Sequence, residues 1–204
     1  MKKVVIIQGS PRKKGNSSLL AAALKESICS TFSDAAQIDV YSLATHVFAP
    51  CIGCEKCTVS GECIRNDDMN ALVDALDAAN VLIWISPLYF GTVSAQLKAI
   101  IDRFQLMWSR TVLAGEEKGI PSNRSRPAFA VYVSAKDDPF ATPVKKAAAL
   151  LPLRYASNTA GFTLGDDATY ALIGAHKPGD IESVELEDSV SEIIASLTGR
   201  IRAL

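Results

Sequence analysis

Apolar residues along the chain follow two alternating patterns. Val4-Val5-Ile6-Ile7, inside Lys3 to Gln8, and Val81-Leu82-Ile83-Trp84-Ile85 are continuous apolar runs rich in β-branched side chains, and they read as strands buried on both faces. Ala128 to Val133 gives a further strand of this kind. Ile38-Asp39-Val40-Tyr41 is a shorter one, and Phe162 to Leu164 and Leu172-Ile173 read as two late short strands. Between them the spacing switches to that of helices. Leu19, Leu20, Ala23, Leu24 and Ile28 share one face from about Asn16 onward, and Met69, Leu72, Val73 and Leu76 share another after Asp67-Asp68. Val93, Leu97, Ile100, Ile101 and Phe104 mark a third helix, Val144 to Leu151 an Ala-rich fourth, and Leu186, Val190, Ile193, Ile194 and Leu197 a last. Leu43 to Asn66, Trp108 to Arg126 and Gly165 to Thr169 are rich in Gly, Pro, Ser or charge and read as loops.

Strands and helices in alternation, with strands apolar on both faces, predict an α/β three-layer sandwich with one parallel sheet. Right-handed crossovers leave few topologies, and the five-stranded flavodoxin-like order 2-1-3-4-5 fits the element count. Residues 1–204 are expected to form one domain, with a Cys-rich loop at about 43–66. In such a sheet ligands bind beyond the carboxyl ends of strands 1 and 3.

Charge changes this picture only by exclusion. With 21 basic and 22 acidic residues the net charge is −1, which offers no footprint for nucleic acid or an anionic membrane. The apolar run after MKK is too short for a signal peptide, and no stretch reaches the roughly 20 apolar residues of a membrane span. A cytoplasmic setting is therefore expected, where thiols stay reduced.

Both strand ends carry candidate chemistry. After strand 1 the loop runs Gly9-Ser10-Pro11-Arg12-Lys13-Lys14-Gly15-Asn16-Ser17-Ser18 into a helix N-terminus. Backbone N–H groups, the hydroxyls of Ser10, Ser17 and Ser18, and the Arg12 guanidinium can seat a phosphate there. The spacing matches neither the dinucleotide-binding GxGxxG nor the GxxxxGK[ST] loop. The plainer alternative is a solvated turn, with Lys13 and Lys14 in water and Asn16 or Ser17 capping the helix. After strand 3 come Ser86-Pro87-Leu88-Tyr89-Phe90-Gly91-Thr92, whose paired aromatics suit a flat ring, or merely cap the core.

Cys51, Cys54, Cys57 and Cys63 bring four thiols into thirteen positions, at spacings of x2, x2 and x5. Closely spaced x2 intervals suit an iron–sulfur cluster, because successive ligands wrap one cube. Zinc more often takes two separated pairs, and disulfides are disfavoured by the compartment. Unligated thiols in a lid or subunit-contact loop are the remaining alternative. Cys29, beside Ile28, is expected to be a buried core thiol. His46 and His176 are read as ordinary loop residues, and Asp67-Asp68 as a helix cap rather than an acid–base pair. Trp108 suits core, subunit contact or a wall over the site alike.

GSPRKKGNS at 9–17, SPLYFGTVSAQLKAIIDR at 86–103 and GAHKPGDIE at 174–182 resemble the NADPH-dependent FMN reductase family of flavodoxin-like flavoproteins. CIGCEKCTVSGECIRNDDM at 51–69 is most similar to its iron–sulfur flavoproteins. The resemblance implies that Ser10, Arg12, Asn16, Ser17 and Ser18 hold the FMN phosphate, that Pro87, Leu88, Tyr89, Phe90, Gly91 and Thr92 line the ring, and that a third loop falls near Ser134 and Ala135. It implies metal ligation by the four loop cysteines in a 4Fe–4S cluster exchanging single electrons with FMN. No protein acid or base is then catalytic, since the chemistry is borne by the flavin. NAD(P)H is the implied donor, a small molecule or ferredoxin-like protein the implied redox partner, and a homodimer or homotetramer the implied assembly. A cluster-free NAD(P)H-dependent FMN or quinone reductase, and a non-enzymatic redox sensor or electron carrier, are the rival functions.

Overall fold

The structure is a computed structural model that describes residues 1–115 and 126–204. Five strands, β1 (Lys2–Gln8), β2 (Ala36–Ser42), β3 (Val81–Pro87), β4 (Arg126–Ser134) and β5 (Phe162–Ile173), form one sheet in the order β2-β1-β3-β4-β5. Every neighbouring pair is parallel. Helices α1 (Asn16–Phe32), α2 (Lys56–Ser60), α3 (Met69–Ala78), α4 (Ala95–Arg103), α5 (Gln105–Leu113), α6 (Pro143–Thr159) and α7 (Val184–Ala203), with short 3-10 turns at Ser33–Ala35 and Asp180–Glu182, complete the described elements. This is the flavodoxin-like arrangement that the alternating patterns predict.

The sheet centre explains the continuous apolar runs. Val4 to Ile7 and Val81 to Ile85 are buried throughout, covered by Leu20, Leu24, Leu72, Leu76, Leu97 and Ile100 among others. Trp84 buries its whole indole because Nε1 donates to Ser157 Oγ at 2.8 Å, so no polar atom is stranded. Among the described residues no helix is long and apolar enough to cross a membrane.

Three expectations are corrected. The two late strands are one: between Ala128↔Leu164 and Ala130↔Thr169, β4 advances two residues while β5 advances five, so Gly165 to Ala168 bulge out without ending the strand. Within the loop expected over Trp108 to Arg126, Trp108 to Leu113 belong to helix α5, and residues 116–125 lie outside the described residues. Cys29 is exposed, because it sits one step, about 100°, around α1 from the buried Ile28.

Candidate functional site

The parallel register sets Gln8 against Ile85 and Pro87 against Val133, so the ends of β1, β3 and β4 finish side by side. A cleft of about 270 Å³ opens there, with Ser10, Arg12 and Ser17 on one side and Pro87, Leu88 and Tyr89 on the other. Ser10 and Ser17 are buried in its floor, while Arg12, Lys13 and Lys14 are exposed around it.

The loop before α1 is held by its own polar groups. The carbonyl of Arg12 accepts from Ser18 Oγ at 2.7 Å and Gly15 N at 3.2 Å, and Ser10 Oγ accepts from Arg12 N at 3.2 Å. Gly15 is the N-cap, so neither Asn16 nor Ser17 caps the helix. A Cβ at Gly15 would fall 2.9 Å from Arg12 Cβ, which explains the glycine. Ser18 N already donates to Gly15 O at 2.9 Å, and a cap without a side chain offers no acceptor to the N–H groups of Asn16 and Ser17 that open this 17-residue helix. Their partial positive charge, two buried hydroxyls and a guanidinium make one end of the cleft suited to an anion.

The opposite wall is a short apolar shelf. Leu88 N donates to Val133 O at 3.0 Å, and Tyr89 and Thr92 exchange backbone hydrogen bonds at 3.0 and 3.1 Å around a tight turn. Phe90 (φ 49°) and Gly91 (φ 80°) occupy the left-handed region at its tip. Glycine takes that geometry freely, whereas Phe90 is strained in it and is fully exposed. Phe90 and Thr92 line a neighbouring apolar groove of about 570 Å³ with Pro11, Val93 and Pro152, and Tyr89 borders both hollows.

Of the sequence-predicted residues, Ser10, Arg12, Asn16, Ser17, Pro87, Leu88 and Tyr89 are thus brought to one cleft. Ser18, Phe90, Gly91, Thr92 and Ser134 do not line it. Ser18 braces the loop, and Ser134 is buried beneath, where its carbonyl accepts from Gly174 N at 3.0 Å and Ala175 N at 3.1 Å. Asn16 spends its side chain on the chain's far end: Nδ2 donates to Lys177 O at 2.8 Å, and Oδ1 accepts from Gly179 N at 3.0 Å and Ile181 N at 3.4 Å. That strap carries Ala175, His176 and Pro178 into the cleft wall, where sequence reasoning had placed nothing. The Asp180 carboxylate accepts from Lys177 N at 2.6 Å and His176 N at 2.7 Å, and these bonds hold its pKa low. The segment GAHKPGDIE was the available signal. His46 remains structural, its ring stacked near Phe48 and its Nδ1 beside Ser42.

The cysteine loop forms a second centre. Left-handed backbone at Gly53, Glu55 and Gly61 folds it back on itself. Cys51, Cys54, Cys57 and Cys63 all line one cavity of about 320 Å³, together with Arg103 and Gln105. Arg103 is buried and donates to Cys63 Sγ at 3.2 Å, to Ala49 O at 3.2 Å and to the Asp67 carboxylate. Burial works to raise the Asp67 pKa, but the Arg103 bond and the N–H groups of Ala49 and Met69 outweigh it and hold the carboxyl below its ordinary value. Burial likewise opposes charge on Arg103, and its bonds to Asp67 and Cys63 overrule it. Asp68 is the N-cap of α3 but makes no side-chain cap bond, its carboxylate accepting from Val47 N at 2.6 Å, while Asp67, one position earlier, accepts from Met69 N at 3.1 Å. Among the described residues no three His, Cys, Asp or Glu side chains converge on a single-ion site. A four-iron cube asks for something else, since each thiolate takes its own iron around a shared void.

The chain is 40% identical over 101 residues to an iron–sulfur flavoprotein of Methanocaldococcus jannaschii, covering 50% of this chain and 51% of that one. It is 38% identical over 118 residues to an iron–sulfur flavoprotein of Archaeoglobus fulgidus, covering 57% and 52%. The chain thus spans about half the length of the curated relatives it matches. Its fold is shared with an FMN-dependent NADH-azoreductase of Bacillus anthracis solved in complex with FMN (TM-score 0.65, 14% identity, 98% of this chain and 99% of that one). Residues 2–138 match the family described as NADPH-dependent FMN reductase, and the chain belongs to that family.

Proposed function

We propose that the chain is an FMN-dependent oxidoreductase and electron-transfer flavoprotein, with NAD(P)H as electron donor and a small molecule or ferredoxin-like protein as redox partner. One observation carries this reading: an uncapped helix N-terminus and an apolar shelf face each other across one cleft at the ends of β1 and β3. An anion and a planar ring are what those two walls suit. Bound FMN supplies the chemistry, accepting a hydride and releasing electrons singly.

The residues then have distinct tasks. Ser10 and Ser17 hydroxyls, the Arg12 guanidinium and the first N–H groups of α1 bind the phosphate. Pro87, Leu88 and Tyr89 form the ring wall and keep water from it. Asn16 and Asp180 position the 175–178 wall, and Ser18 braces the loop. Phe90, Gly91 and Thr92 shape the adjoining groove, a place for a second flat molecule.

The thiol cavity fits a 4Fe–4S cluster. The four cysteines line a single cavity, and Arg103 lines it too, with a buried Nε that has no partner among the described residues. A cube held by four thiolates is a net anion, so a buried cation there is electrostatically matched. Cys51, Cys54, Cys57 and Cys63 would hold it, and it would supply one-electron storage. In the same loop Val47, Ile52, Val59 and Ile64 are 69, 59, 81 and 59% exposed, which supports covering by a second subunit in a homodimer or homotetramer.

Anaerobic purification tests the reading. We expect FMN to quench on addition to the stripped protein, iron and sulfide near four each per chain, and NAD(P)H oxidation in the presence of an artificial acceptor. No FMN association overturns the function. FMN binding without iron or sulfide overturns the cluster and leaves a cluster-free reductase.

A further inference from the structure

Three sulfurs of the cysteine loop accept hydrogen bonds, one from within the loop and two from the rest of the fold. Cys51 Sγ accepts from Gly53 N at 3.5 Å, Cys57 Sγ from Ser109 Oγ at 3.7 Å, and Cys63 Sγ from Arg103 Nη2 at 3.2 Å. The donors differ in kind: a backbone amide, a neutral hydroxyl and a guanidinium. The guanidinium bond is the shortest of the three and the only one of them assisted by charge.

Arg103 is also the best fixed. It ends α4, where the helix dipole favours a cation, and is 2% exposed. Nη1 is held by Ala49 O and the Asp67 carboxylate, and Asp67 is itself held by Ala49 N at 2.9 Å and Met69 N at 3.1 Å. A guanidinium so anchored cannot swing away, and arginine does not give up its proton in proteins. Burial also spares it most of the solvent screening that a surface lysine would suffer.

We propose that Arg103 is the positioning residue that sets the reduction potential of the centre held by the cysteines, through its bond to Cys63 Sγ and its buried positive charge. The inference rests on the cluster reading above. Reduction by one electron adds one negative charge to an already anionic group. No bond forms or breaks and no proton is taken up, because Arg103 carries its proton in both states. A cation donating to a ligand sulfur stabilises the more negative state more than the other, which raises the potential. Gly53 and Ser109 act in the same direction with smaller effect, since neither carries charge.

The test is an anaerobic redox titration with dithionite and mediators, read by low-temperature electron paramagnetic resonance of the reduced cluster, with iron and sulfide measured on the same samples. In Arg103→Met the reduced-to-oxidised ratio at a fixed potential should fall roughly tenfold, a midpoint about 59 mV lower for one electron. Removing one partner of a buried pair can unfold a protein. Asp67→Asn/Arg103→Met therefore takes out both charges; loss of the Asp67 carboxylate works the other way, so the double variant should show a smaller downward shift, left by the lost bond to Cys63, while melting cooperatively. Arg103→Lys should recover part of the shift, and Ser109→Ala should show a smaller one. The flavin potential and FMN affinity should stay at their wild-type values. An unchanged cluster midpoint in the iron-replete double variant, or a larger shift from Ser109→Ala than from Arg103→Met, overturns the inference and leaves the cluster reading intact. Wild-type protein without iron or sulfide overturns both.

Discussion

Asn16 gives the sharpest test of how the cleft is built. Its amide makes three bonds to the 177–181 segment, two of them at 2.8 and 3.0 Å and a weaker one at 3.4 Å. The two short bonds contribute about 1 kcal/mol each at typical net values, so Asn16→Ala should loosen the strap by about 2 kcal/mol. The strap carries Ala175, His176 and Pro178 into the wall of the cleft. Ordering it again on binding should raise the FMN dissociation constant by about 30-fold. The assay is quenching of flavin fluorescence on titration of the stripped protein, carried out in parallel with FMN and with riboflavin. Both polar atoms of the Asn16 side chain are engaged within the protein, so both flavins should lose affinity equally. Amide exchange at Gly179 and Ile181 should also quicken. A loss confined to FMN would refute this reasoning, because it would make Asn16 a phosphate ligand rather than a strap.

Arg12→Ala should behave in the opposite way. Loss of a charge-assisted bond worth about 1.5–3 kcal/mol should weaken FMN by at least ~10-fold and leave riboflavin unchanged, with the gap narrowing at high salt in the same titration. Gly15→Ala puts a Cβ 2.9 Å from Arg12 Cβ, and its φ of −84° adds no backbone strain. The resulting overpacking of about 1–3 kcal/mol should fall on the phosphate loop and appear as weaker FMN binding, with little change in the melting temperature of the stripped protein. Asp67 has its pKa lowered below the ordinary 3.8, so its contribution to stability is present above that value and fades as pH falls through the lowered one. Urea unfolding should therefore show wild type and Asp67→Asn furthest apart near neutrality and converging in acid below about pH 4; an unchanging gap would refute the ion pair's role.

The reach of sequence reasoning follows the range of the interactions concerned. Strands β1, β3 and β4 are legible because burial on both faces leaves no polar interruption, and the cleft is legible because Gly9-Ser10-Pro11 follows β1 and Ser86-Pro87 closes β3. β5 is not, since Gly165-Asp166-Asp167 reads as a loop until Lys146, Arg154 and Arg200 pair with its aspartates and keep the bulge on the strand. α5 is hidden because only part of its surface is buried, and Ser109-Arg110-Thr111 breaks the apolar stripe. Asn16 was legible as a site residue but not as a strap, because its partners lie more than 160 positions away. Arg103 was missed altogether, since Cys63 is 40 positions earlier. Local patterns locate elements and turns; they do not say which side chain a buried polar atom will choose.

Both centres nonetheless depend on one short helix. At the start of α4, Ser94 is buried and donates to Gly9 O at 2.6 Å, while its Oγ accepts from Leu97 N at 3.1 Å and caps the helix. Leu97 packs so closely on the phosphate loop that a Cβ at Gly9 would come within 2.7 Å of it. At the other end Arg103 reaches Cys63. Nine residues separate the two contacts, about 14 Å of helix at 1.5 Å per residue. A helix of that length, buried through Leu97, Ile100 and Arg103, does not stretch, so the loop under the cleft and the sulfur loop are held at a set spacing by the same rigid element. A substitution that slid or unwound α4 should disturb flavin binding and thiol geometry together, whereas Arg12→Ala and Arg103→Met should each disturb only one.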